Sequence, residues 1–88
     1  PLRAAIRSRR KIDITYRALD GRETKRTVRP LQMEYWGRVW TLTAWCEARE
    51  AFRVFRVDRI ATLDVTFDSF GEDPGKTLAD YLAQLETA

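Results

Sequence analysis

Three arginines recur at every third position in Arg53-Val54-Phe55-Arg56-Val57-Asp58-Arg59-Ile60, whose other residues favour a strand. Just before it, across a turn, lies Arg38-Val39-Trp40-Thr41-Leu42, rich in aromatic and β-branched side chains. The two segments are close enough in sequence to pair as a hairpin. A core uses the valines, Phe55, Trp40 and Leu42, but has no need of so many guanidiniums. A planar guanidinium grips phosphate through two parallel hydrogen bonds, and aromatic faces stack on bases. The pattern therefore suits an anion or a nucleotide phosphate. The competing reading is a set of solvated arginines paired with Glu47, Glu50 and Asp58, and the bare segment fits both. On an ideal strand Arg53 and Arg59 share one face and Arg56 takes the other, unless a bend or bulge near Asp58 alters the alternation.

Other residues extend both readings. Arg17, Lys25, Arg26 and Arg29 lie on the first hairpin and its exit. Together with Arg53, Arg56 and Arg59 they would line a continuous basic groove; alone they would form an ordinary solvated face. Trp40 alternates with Leu42 and Ala44, which makes it a core filler or a ring beside the arginines. Tyr35 and Trp36 flank a turn, where rings are exposed and serve stacking or a protein contact. Cys46 reads as a small buried filler. Asp58 can orient Arg56 or Arg59, but as a general acid it lacks a partner.

Composition removes several function classes. The chain has no histidine and one cysteine, Cys46, so imidazole triads, the usual zinc sites, thiolate clusters and internal disulfides are excluded. It carries no glycine-rich phosphate loop of either common type. The expectation is a non-enzymatic domain with no catalytic residues, no metal and no cofactor. No apolar run approaches the roughly 20 residues that span a bilayer, and no signal peptide is visible. A cytoplasmic protein with no membrane partner is expected. The chain begins at Pro1 without an initiator methionine, which reads as a piece of a longer protein. Charge is unevenly spread: residues 1–30 hold ten Lys/Arg against three acids, whereas residues 61–88 hold one against six. That polarity steers an anion towards one side.

The elements that must position these residues follow from periodicity. Leu2 to Arg10 reads as a short helix with Leu2, Ala5 and Ile6 on one stripe. Lys11 to Ala18 alternates, with Ile12, Ile14 and Tyr16 facing a core. Leu19-Asp20-Gly21-Arg22 is a hairpin turn, and Thr24 to Val28 returns. Arg29-Pro30 should end that strand's regular pairing, since proline lacks the donor. A second turn falls at Gly37-Arg38, strands follow at Val39–Cys46, Ala51–Val57 and Ile60–Phe67, and Glu47 to Glu50 is a turn. Gly71 to Gly75 reads as a linker, after which Thr77 caps a helix whose Leu78, Tyr81, Leu82 and Leu85 recur on one face. The fold class is mainly β: a small five-stranded, strongly bent sheet or partly open barrel, with an N-terminal and a C-terminal helix.

With these residues in view, the chain resembles the WYL domain of bacterial helix-turn-helix transcriptional regulators over Leu2 to Phe70. The resemblance rests on ordered pieces: Leu2-Arg3-Ala4-Ala5-Ile6, Ile14-Thr15-Tyr16-Arg17, Arg29-Pro30-Leu31, Gly37-Arg38-Val39-Trp40-Thr41-Leu42 and Arg53 to Ile60. The namesake Trp-Tyr-Leu triplet stands as Trp40-Thr41-Leu42, so a hydroxyl replaces a ring at its centre. The resemblance implies an Sm-like or SH3-like barrel in residues 1–70, followed in residues 71–88 by a linker and the start of a C-terminal extension helix. It further implies an effector-sensing domain that binds single-stranded nucleic acid or a nucleotide-like molecule, through positions matching Arg17, Arg29, Trp40, Thr41, Arg53, Arg56 and Arg59. Implied partners are the regulator's own helix-turn-helix domain and a second copy in a homodimer. The alternative is a protein-interaction or dimerisation module of the same regulator with no small ligand.

Overall fold

A computed structural model describes residues 1–87; Ala88, the last residue of the 71–88 segment, lies outside the described residues. In chain order it contains α1 (Leu2–Ser8), β1 (Arg10–Arg17), β2 (Glu23–Tyr35), β3 (Trp40–Cys46), β4 (Ala51–Arg56), a one-turn 3-10 helix (Val57–Arg59), β5 (Ile60–Ser69) and α2 (Leu78–Glu86). The mainly β class with a helix at each end is as expected. All strands are antiparallel in one sheet, ordered β4-β3-β2-β1-β5.

The core follows the alternation in the sequence. Ile12 and Ile14 from β1, Val28 from β2, Leu42, Ala44 and Cys46 from β3, and Phe55 from β4 are buried together, and α1 covers them with Leu2 and Ala5. Helix α1 stops at Arg9, which takes a left-handed conformation (φ 54°) and donates its N–H to the Ile6 carbonyl. At the first hairpin Gly21 supplies the positive φ, and the Asp20 carboxylate accepts from the Arg22 N–H at 2.9 Å.

Two expectations change. The first is the end of regular pairing at Pro30: β2 continues as a 13-residue strand. It pairs with β1 as far as Val28, then with β3 from Val28 to Tyr35, with a register shift between Pro30 and Gln32. Pro30 therefore lies where the strand is paired on one side only and beside a bulge, the places a sheet tolerates proline. The second concerns barrel closure. The sheet is open rather than closed into the barrel the resemblance implies, with β4 and β5 as its edges. On the β4 edge the Arg56 backbone N–H donates to the hydroxyl of Tyr16, a β1 residue, at 3.1 Å.

The C-terminal segment packs back onto the outside of the sheet. Thr77 and Asp80 form a reciprocal capping box that starts α2. Tyr81 sets its ring edge-on to Phe52, which in turn packs against Trp45, and the Lys76 ammonium lies over Trp45.

Candidate functional site

Strand alternation decides where the arginines go. In the β3–β4 pair, Leu42 lies opposite Phe55 and Ala44 opposite Arg53, so Arg53 is on the inner face, half-buried beside Phe55. Thr41 lies opposite Arg56, and both are on the outer face. Immediately after Arg56 the 3-10 turn swings the chain across to β5. The register Tyr16↔Ile60 then brings Arg59 alongside Arg17, and both line a cleft of about 500 Å³ with Asp58 and Ala61.

This corner has a definite electrostatic pattern. Arg56 grips Asp58 with both arms of its fork, Nε to Oδ1 at 3.1 Å and Nη2 to Oδ2 at 2.8 Å. Those hydrogen bonds hold the Asp58 carboxyl below its ordinary pKa and raise that of Arg56. Arg17 instead converges its Nε and Nη2 on one oxygen of Glu23, Oε2, at 3.2 and 2.8 Å. Arg59 differs: its Nε is buried and finds no acceptor among the described residues. A buried donor without a partner is uncommon in a native fold and marks a place where an acceptor would be welcome. Beside the corner, Thr41 accepts from the Trp36 indole N–H at 2.9 Å, which fixes an otherwise exposed ring.

Arg29 sits elsewhere and does something else. It is 7% exposed, with Nε on Glu47 at 2.7 Å and Nη1 on Asp73 at 2.6 Å, while Lys11 reaches the other Glu47 oxygen at 3.3 Å. Burial works against its charge, but the hydrogen bonds to Asp73 and Glu47 overcome that and raise its pKa. Glu47 is likewise penalised by burial, yet the hydrogen bond from Arg29 leaves its pKa lowered; Asp73 is lowered chiefly by its own hydrogen bond from Arg29. Arg29 thus clamps the β3–β4 turn and the C-terminal segment to β2.

Trp40 alternates with Thr41 and so faces α1. Its ring packs against Tyr35 at 5.0 Å and lies under the Arg3 guanidinium at 5.2 Å. The seven expected residues are therefore divided: Arg17, Arg56, Arg59 and Thr41 at the corner, Arg29 in a clamp, and Trp40 and Arg53 on the inner side of the sheet. Sequence reasoning missed the clamp's acceptors, since Glu47 and Asp73 lie 18 and 44 residues from Arg29. It also missed the inward turn of Arg26, whose guanidinium reaches the Cys46 sulfur and the Phe55 ring. The signal for Arg26 was available: it alternates with Val28, a core residue.

The same outlines recur in known proteins. A model of the WYL domain matches residues 1–65. The chain belongs to the WYL domain family. Over 71 residues this WYL domain is 34% identical to the DNA-binding transcriptional repressor CapW of Stenotrophomonas maltophilia, a match covering 80% of this chain and 24% of the repressor. Its structure is similar to that of Proteasome accessory factor B/C (PafBC) of Arthrobacter aurescens, with a TM-score of 0.75 and 28% identity over 81% of this chain and 11% of that one. The WYL triplet itself straddles the sheet here, with Trp40 and Leu42 on the inner face and Thr41 outside. Among the described residues, no helix is long and apolar enough to cross a membrane, and no group of three or more His, Cys, Asp or Glu could hold a metal ion.

Proposed function

We propose that this WYL domain is the non-enzymatic sensing domain of a cytoplasmic DNA-binding transcriptional regulator. In this reading the Arg17–Arg56–Arg59 corner takes the phosphates of single-stranded nucleic acid or a nucleotide-like ligand. Residues 1–70 form the sensing unit, and residues 71–88 begin an extension that contacts other parts of the regulator. The kinship with a DNA-binding repressor supports the regulatory role. The observation that carries the ligand class is the corner itself: Arg17 and Arg59 line one cleft, Arg56 grips the Asp58 that lines it with them, and the buried Arg59 Nε finds no acceptor among the described residues. In this reading a small shift of the Arg59 side chain brings its Nε to a phosphate oxygen in the cleft, whose charge also suits the fork geometry of the neighbouring arginines. Occupancy then biases the regulator by its differential affinity for two arrangements of the domains.

Binding of a labelled oligothymidylate, followed by anisotropy across salt concentrations, tests this. Three phosphates neutralised on a single strand give a log–log salt slope of about −2, or about a twentyfold loss between roughly 50 and 200 mM salt. Replacing Arg56 and Arg59 by alanine together should reduce that slope to about −0.7. No binding by the wild-type domain, or an unchanged slope in the double variant, rejects the reading.

A second reading is favoured by one observation: Tyr35 and Trp36 are 57% and 64% exposed, side by side at the β2–β3 turn. Such rings suit a dimerisation contact. A salt-resistant dimer in sedimentation that ignores oligonucleotides supports that alternative.

A further inference from the structure

Asp58 occupies the place of an anion. Its two oxygens meet the Nε and Nη2 of Arg56 in the parallel, two-bond arrangement that a phosphate adopts on a guanidinium. It also lines the cleft that holds Arg17 and Arg59. The carboxylate comes from two residues further along the same chain, so its effective concentration at Arg56 is high and needs no outside partner. Yet the pair is open to water, with the two side chains 45% and 58% exposed, so separating them is cheap. Arg59 Nε remains without an acceptor even with Asp58 next to it in sequence.

We infer that Asp58 is a built-in competitor for the corner, an internal carboxylate that caps Arg56 until a phosphate displaces it. This rests on the anion-binding reading of the corner and adds its regulation: Asp58 sets the affinity threshold and rejects weakly charged ligands. The opposite role, in which Asp58 orients Arg56 for the ligand, predicts the reverse response to its removal. The two are separable by the sign of one measurement.

The test compares the wild-type domain with Asp58→Asn, Asp58→Ala and the control Glu72→Gln in oligothymidylate binding. Glu72 pairs with Arg9, outside the corner, so its replacement adds the same unit of positive charge without touching the cleft. Both Asp58 variants should bind about three- to tenfold more tightly than wild type, because one guanidinium fork is released. Their salt slope should stay near the wild-type value of about −2, because Arg56 meets phosphate in both once Asp58 is displaced. Glu72→Gln should gain less than twofold, as expected for a screened charge away from the site (about a Debye length of roughly 8–10 Å suffices). Unchanged or weakened binding by Asp58→Asn and Asp58→Ala overturns the competitor role, and so does an equal gain in Glu72→Gln. If the wild type binds and Arg56→Ala weakens it, that failure is confined to the inference. Absence of binding in every protein removes the anion-binding reading as well.

Discussion

Replacing Arg29 by methionine keeps an unbranched, flexible apolar stem but deletes the guanidinium and its charge. Arg29 is 7% exposed, and its guanidinium is divided between Glu47 at 2.7 Å and Asp73 at 2.6 Å. After substitution Glu47, with 30% of its side chain exposed, keeps only Lys11 at 3.3 Å. Breaking a fully buried pair costs about 3–5 kcal/mol and breaking an exposed one about 0–1, so this half-shielded arrangement should lose about 2 kcal/mol. For a domain of this size, with a urea m-value of about 1 kcal/mol/M, the midpoint should fall by about 2 M. The pH dependence supplies an independent check. Glu47 and Asp73 have folded pKa values lowered by Arg29, so the stability they contribute is fully present above their unfolded values and is lost as pH falls through the folded ones. With unfolded values near 4, the gap between wild type and Arg29→Met should be complete at neutral pH and shrink below about pH 4. Urea titrations at both pH values measure it. A variant within about 0.5 kcal/mol of wild type, or a gap independent of pH, refutes the clamp.

Tyr16→Phe removes the hydroxyl that accepts from the Arg56 N–H and ties β4 to β1, and urea denaturation should show a loss of about 1 kcal/mol, with faster amide exchange at Arg56. Thr77→Ala breaks the capping box, so amide exchange in α2 should rise about fivefold while the β1–β2 amides keep their protection. Cys46 is fully buried, so its thiol should react with an aromatic disulfide reagent only as fast as the protein opens, with a rate that rises with urea.

The parts of this fold that were legible in the sequence are those fixed by neighbours. Alternation at Ile12 and Ile14 gave β1, Asp20-Gly21 gave its turn, and Thr77 gave the start of α2. Pro30 misled because a proline's missing donor matters only if a partner strand needs it, and β2 changes partners just before that residue. Closure was not readable either, since it depends on how far β4 and β5 separate after the 3-10 turn. For the site, the spacing of Arg53, Arg56 and Arg59 drew attention to the right segment, but period-2 geometry sends Arg53 inward, and the 3-10 turn is what brings Arg59 beside Arg17. The clamp around Arg29 was hidden because Glu47 and Asp73 are brought to it only by tertiary packing. Family resemblance located these positions without distinguishing a phosphate contact from a structural ion pair.

The most direct measurement is a titration of the isotope-labelled domain with oligothymidylate, following the guanidinium Nε–Hε resonances of each arginine. The corner account predicts that Arg17, Arg56 and Arg59 move together with one affinity while Arg29, held by Glu47 and Asp73, stays in place. Movement confined to Arg29 or Arg53, with the corner resonances unchanged at saturation, would contradict it.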